Sequence, residues 1–275
     1  MLGSIIGDII GSTYEFNPTK DYNFQLFTPK MTFTDDSVLT CAVIESLLDN
    51  IAFDKTIHTW GNKYPGRGYG LQFSQWLASD NPLPYNSFGN GSAMRVSPIG
   101  LVLPSRIQVL KNAKLSAEVT HNHPEGIKGA QAVALAIHLG CQGVDKTFIK
   151  KEIENEFKYD LSKTYKQIQP TYKFNETCQG SVPESLIAFF ESTNFESAIR
   201  LAISLGGDAD TQACIAGSIA EAYYKEIPQE ITDKCLPLLT ADMKKLIKRL
   251  YKNYKLNKGT LADRMESEGF GDNIT

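Results

Sequence analysis

The amino-acid sequence predicts an all-α protein, and three observations carry that reading. Apolar residues recur at helical spacing along most of the chain. Convincing two-residue alternation, the mark of a half-buried strand, is scarce. Glycine and proline gather in the segments between the periodic stretches, where they punctuate loops.

The elements follow in order. The start, MLGSIIGDIIGS (1–12), is an apolar helix with Gly3, Gly7 and Gly11 at a spacing that lets one face approach a neighbour closely. TDDSVLTCAVIESLLDN (34–50) sets Val38, Cys41, Ala42, Leu47 and Leu48 near one face. PEGIKGAQAVALAIHLG (124–140) opens on a proline suited to a first helical turn and ends at Gly140, read as its C-cap. Helical period continues through 144–157, 182–192, 194–206, 210–224 and 240–254. Loops are expected at 16–33, 64–70, 79–92 and 161–183. Long loops in a compact domain are often lids or binding loops. No low-complexity linker, charge block or repeat divides the chain, so a single domain over residues 1–275 is expected.

Composition narrows the class of protein. The 275 residues are 42% hydrophobic and 21% charged with a formal net charge of −3. This is globular composition, and a core of that size needs neither disulfides nor a structural metal. The slightly acidic balance argues against stable nucleic-acid binding, although a modified nucleic acid could still be a substrate. The five cysteines, Cys41, Cys141, Cys178, Cys214 and Cys235, have no close spacing, which reads as reduced thiols and excludes a CxxC zinc site. The glycine-broken N-terminus is too interrupted for a signal peptide, and no later run reaches membrane length. A cytoplasmic monomer is the expectation.

Chemistry enters at SLGGDADTQACIAGSIA (204–220), where Asp208 and Asp210 stand directly before a long helix. An N-cap accounts for one aspartate. FTDDSVLTCAV (33–43) repeats the pattern with Thr34, Asp35 and Asp36, as GGDADT does with Asp208, Asp210 and Thr211. Each half offers two carboxylates and a hydroxyl, all hard oxygen ligands. Four aspartates gathered together repel unless compensated, and two divalent cations of the Mg²⁺ or Mn²⁺ type would balance them. Glu15 falls just past the first helix, where a carboxylate opposes the helix dipole and asks for a reason. FGNGSAMRVSPIG (88–100) is a glycine-rich loop-to-helix junction able to present backbone N–H groups to phosphate. YPGRGYG adds Arg67 and Tyr69, suited to lie along a diphosphate or stack on a base, and His121 and His123 enter a helix in THNHPEG.

In order, GSIIGDIIGSTYEF, FTDDSVLT, GNGSAMRVSPIGL, THNHPEGIKGA and LGGDADTQACIAG resemble the ADP-ribosylglycohydrolase family. That resemblance implies an orthogonally packed all-α fold with a dinuclear Mg²⁺ or Mn²⁺ centre in a cleft. It makes Thr34, Asp35, Asp36, Asp208, Asp210 and Thr211 metal ligands and Glu15 the catalytic carboxylate. Gly68, Tyr69, Gly70, Asn90, Gly91, Ser92 and His121 become substrate contacts. The implied activity is hydrolysis of the glycosidic bond between ADP-ribose and a modified acceptor, with arginine favoured and serine or a nucleobase as further choices. Asp80, the nearest match to a mobile-loop acid of some members, is not fixed by its surroundings. A metal-dependent phosphohydrolase and a non-catalytic, crystallin-like ADP-ribose binder are the alternatives.

Overall fold

The computed structural model describes residues 1–254. In chain order its helices are α1 (Leu2–Gly11), α2 (Asp35–Asp49), α3 (Phe53–Lys63), α4 (Leu71–Leu77), α5 (Gly91–Met94), α6 (Ser97–Val102), α7 (Arg106–Glu118) and α8 (Pro124–Cys141). They continue as α9 (Lys146–Phe157), α10 (Tyr165–Ile168), α11 (Cys178–Glu191), α12 (Phe195–Ser204), α13 (Ala209–Tyr224), α14 (Gln229–Cys235) and α15 (Ala241–Tyr254). No strand occurs among the described residues, and one isolated bridge joins Gly89 to Thr177. The all-α expectation is met. Of the expected 1–275 domain, residues 255–275 lie outside the described residues. No described helix is long and apolar enough to cross a membrane, and all five cysteines are free.

The axis of the fold is α13. Every residue from Ala209 to Ala222 is buried; most are small or apolar, and the polar ones, Asp210, Thr211, Gln212, Ser218 and Glu221, are buried with them. Helices α1, α8, α11 and α12 pack around it, and α2, α5 and α6 touch it. The contact with α1 is unusually close, and the glycine spacing explains it. A β-carbon on Gly7 would lie 2.1 Å from the Ala213 carbonyl oxygen, and one on Gly3 would lie 2.2 Å from that of Gly217. Gly11 rests against the backbone of Asp210 in the same way, 2.4 Å from its Cα. Backbone therefore meets backbone along the whole seam, and the end of α1 is fixed beside the start of α13.

Local chemistry sets most helix ends. Thr34 caps α2 and accepts from the Asp36 N–H, while Asn50 closes it in the left-handed region. His123 caps α8 by accepting from the Glu125 N–H, with Pro124 behind it. Gly140 does not end this helix. It stays inside, and Gly143, at φ 74°, supplies the left-handed residue that ends the run. Within the expected 161–183 loop a capping box of Thr164 and Gln167 starts the short α10. Helix α11 begins at Cys178, capped by Thr177, and runs through Pro183. Proline there removes one ladder bond, which is why the sequence reads as if the helix began beside it.

Candidate active site

Three segments converge at the open end of the α1–α13 seam. Helix α1 contributes Asp8 and, just past its end, Glu15. The start of α2 contributes Thr34, Asp35 and Asp36, and the start of α13 contributes Asp208, Asp210 and Thr211. Oxygens of Asp8, Asp36 and Asp210 lie within 4.8 Å of one another, as do oxygens of Glu15, Asp208 and Asp210. Asp210 belongs to both groups. The two Asp-Asp-Thr motifs that the sequence separates are thus brought to one place.

The N-terminus of α13 explains its doubled aspartate. Asp208 occupies the N-cap position yet makes no side-chain cap bond. Its Oδ2 instead accepts from Asn90 Nδ2 at 2.6 Å. Asp210 Oδ1 takes the Thr211 N–H at 2.9 Å. Thr211 Oγ1 stands 3.4 Å from Asp36 Oδ2, tying the two half-sites together.

Asp8 is the residue that the motifs alone do not reveal. It is fully buried and accepts from Thr34 and Ser37 through both their backbone N–H and hydroxyl groups. Ser37 is the third residue of α2, so a carboxylate from α1 caps α2 across the interface. Its signal in the sequence is that it is the one charged residue in an otherwise apolar helix. Thr34 spends its hydroxyl on Asp8 Oδ1 at 2.7 Å and stands 3.4 Å from Asp36 Oδ2.

Electrostatics confirm that these carboxylates are uncompensated within the protein. Among the described residues no lysine or arginine forms an ion pair with any of them. Burial and mutual repulsion push Asp35, Asp36 and Asp210 well above the usual carboxylate range. Burial raises Asp8 too, against its four donors, and lifts Asp208 to about 6. Glu15 is raised to about 8 by burial and by Asp210. Asp36 Oδ1 is buried with no hydrogen-bond partner. An all-oxygen donor set, an orphaned carboxylate oxygen and a shared Asp210 fit a pair of hard divalent cations.

A cleft of about 490 Å³ opens over this cluster. Glu15, Asp35, Gly68, Gly70 and Phe174 line it together with the Asn86–Gly91 segment and His121. Gly68 adopts φ 98°, and a β-carbon there would come within 3.2 Å of Asp35 Oδ1. His121 is buried, bonded through Nδ1 to Thr120 Oγ1 at 2.7 Å. Burial and the nearby Arg95 hold its pKa well below the ordinary value, so the ring is neutral.

Three expectations change in detail. Tyr69 does not line the cleft; its hydroxyl donates to the Tyr64 carbonyl at 3.0 Å and its ring packs on Phe73. Arg67 lies over the Phe33 ring at 3.8 Å, and its carbonyl takes the Asp35 N–H, so this loop supports α2. Ser92 is fully buried and donates to the Gly126 carbonyl at 2.7 Å, away from the cleft lining. Asn90 does line the cleft, and its amide also holds Asp208. Asp80 is exposed and outside the cleft.

The chain is similar to known proteins along nearly its full length. A family description of ADP-ribosylglycohydrolases matches residues 1–260. The ADP-ribosylhydrolase ARH3 of Bos taurus is 30% identical, with 86% of this chain and 87% of that protein aligned. The ADP-ribosylarginine hydrolase Tri1 of Pseudomonas putida is 26% identical over 85% of this chain and 72% of its own length. A solved structure described as an ADP-ribosylglycohydrolase-related protein complex shares the fold, with a TM-score of 0.74 and 23% identity over 91% of this chain and 95% of its own. The helical fold, the paired acidic motifs and these matches agree: the chain belongs to the ADP-ribosylglycohydrolase family and is a glycohydrolase.

Proposed function

We propose that this enzyme releases ADP-ribose from a modified acceptor, arginine first, by hydrolysing the bond at the distal ribose with the help of two divalent cations. The observation that carries the reading is the pair of carboxylate groups sharing Asp210 beneath one cleft. Asp36 and Asp210, with Thr34, Asp35, Asp208 and Thr211 around them, would hold Mg²⁺ or Mn²⁺. The cations would compensate the clustered charge, orient ribose hydroxyls and make bound water more acidic. Arginine as acceptor rests on the Pseudomonas putida relative's name and on family analogy. We read the protein as one domain acting as a cytoplasmic monomer.

The chain's own groups have definable tasks in that reaction. The bond from the anomeric carbon to the acceptor atom breaks, and a water oxygen adds to that carbon. Glu15, at the cleft wall, takes the proton from water and returns one to the departing acceptor. A nearby carboxylate also stabilises positive charge developing on the sugar. Asn90 keeps Asp208 turned toward the cluster, and the Gly89–Gly91 turn offers backbone to the diphosphate.

The test is release of ADP-ribose from arginine-, serine- and nucleobase-linked substrates in Mg²⁺, Mn²⁺ and EDTA. Wild-type release should require metal, and Asp36→Ala and Asp210→Ala should lose it while staying folded. Glu15→Gln should lower turnover by roughly 10²–10⁴ with little change in ADP-ribose affinity. Full activity in EDTA would sink the mechanism. AMP as product would identify a phosphohydrolase, and binding without any turnover would identify a non-catalytic binder.

A further inference from the structure

Arg95 carries the largest fully buried side chain among the described residues, and it lines the same cleft as the acidic cluster. Its Nη2 donates to the Ser116 carbonyl at 2.8 Å and to Thr120 Oγ1 at 3.0 Å. Nε and Nη1 are buried with no hydrogen-bond partner. Among the described residues no carboxylate pairs with it. The titratable groups facing it are Tyr85, Cys178 and His121, and none is an anion at neutral pH. Burial holds the Tyr85 hydroxyl and the Cys178 thiol protonated, each up to about 12.

A buried guanidinium without a counter-ion is costly, and proteins ordinarily pair such a charge. Its surroundings indicate which anion such a charge would serve. The Gly89–Gly91 turn touches the acidic cluster through Asn90 on Asp208. The same turn touches His121, whose Nε2 would lie 3.1 Å from a β-carbon on Gly91. His121 is bonded to Thr120, and Thr120 to Arg95. A single turn therefore has carboxylates on one side and an unneutralised cation on the other.

We propose that Arg95 is a fixed buried charge that attracts the diphosphate of ADP-ribose to the Gly89–Gly91 turn and so sets which way the ligand lies. This rests on the ADP-ribose reading of the cleft. Arg95 does not touch the reacting atoms; it is a positioning residue that acts through the turn and His121. The ribose then falls on the carboxylate side and the anionic centre of the ligand on the Arg95 side. An uncharged nucleoside gains nothing from Arg95.

The experiment is calorimetric titration of the full chain in Mg²⁺ buffer with ADP-ribose, AMP and adenosine. Wild type is compared with Arg95→Met, Arg95→Gln and Arg95→Lys. The Met and Gln variants should lose roughly tenfold or more in ADP-ribose affinity, lose less for AMP, and leave adenosine unchanged. The Lys variant should recover most of the loss, and it keeps the test open where Arg95→Met fails to fold. Unchanged ADP-ribose affinity in the neutral variants overturns the inference, and so does an equal loss for adenosine, which marks a purely structural role. A wild-type protein that binds none of the three ligands overturns the ADP-ribose reading itself.

Discussion

Asp8 illustrates how much one side chain decides here. Its carboxylate receives the N–H and hydroxyl of both Thr34 and Ser37, so it fixes the register of the segment that carries Asp35 and Asp36. Replacing it by asparagine keeps the shape but turns one acceptor oxygen into an NH₂ that faces donors. Groups that orient metal ligands are typically worth 10–100-fold in affinity or activity. Asp8→Asn should therefore lower Mg²⁺ or Mn²⁺ affinity by about 10–100-fold, with turnover falling at limiting metal and circular dichroism unchanged. Metal titration of both proteins checks this, and an unchanged affinity would remove Asp8 from the site. The six proposed ligands were legible as candidates in the sequence, because two aspartates and a threonine occur together twice. Asp8 occurs once, inside an apolar helix, and its role exists only after α1 meets α2. Ser92 and Tyr69 misled for the opposite reason. A glycine-rich loop announces a turn but not which way its side chains point, and here one hydroxyl faces Gly126 and the other Tyr64.

At the scale of the helix, the α1–α13 seam is the device that makes the site. Because a Gly7 β-carbon would sit 2.1 Å from a backbone oxygen of α13, no rotamer change can relieve it. Gly7→Ala should push the helices apart and cost about 3 kcal/mol or more, at the upper end for overpacking. Activity should fall further than stability, since the seam aligns Asp8 and Glu15 with Asp208 and Asp210. Gly140→Ala is the matched control. Its β-carbon would meet Tyr223 N at an ordinary 3.4 Å, so the change should stabilise by about 0.5–1 kcal/mol, the helical preference of alanine over glycine. Denaturant melts of the two variants check the pair, and equal destabilisation would refute the seam. The spacing of Gly3, Gly7 and Gly11 made the seam visible in the sequence, although not its partner. Long-range ties stayed hidden. Lys20 donates to the carbonyls of Gln169, Tyr172 and Leu205, clamping the loop after Glu15 to the approach to Asp208. Its neighbours at that point are more than a hundred residues distant, and no local pattern marks a lysine for that task.

For the molecule as a whole, the acid cluster links stability to pH and to metal. In metal-free protein Asp208 is raised to about 6 and Glu15 to about 8, and Asp8, Asp35, Asp36 and Asp210 are raised as well. Unfolded aspartate and glutamate titrate near 3.9 and 4.3. Between those values and the raised ones the folded chain holds more protons than the unfolded chain. Stability must then fall as pH rises through this window, because each added unit strips protons that only the folded state retains. Divalent cations held by the cluster, as proposed, would reverse the sign. Binding to the deprotonated carboxylates of the folded chain would contribute more as protons leave. The unfolding temperature in EDTA should decline from about pH 5 to about pH 8, and the gap between the EDTA and Mg²⁺ or Mn²⁺ curves should widen over the same range. Thermal melts at matched ionic strength measure both. Parallel curves would mean that the cluster does not hold the metal. A widening gap in wild type that collapses in Asp210→Ala would tie the effect to the residue shared by both carboxylate groups. On the proposed reading, an acidic pocket that destabilises the metal-free state is offset when the cations that supply the chemistry are bound.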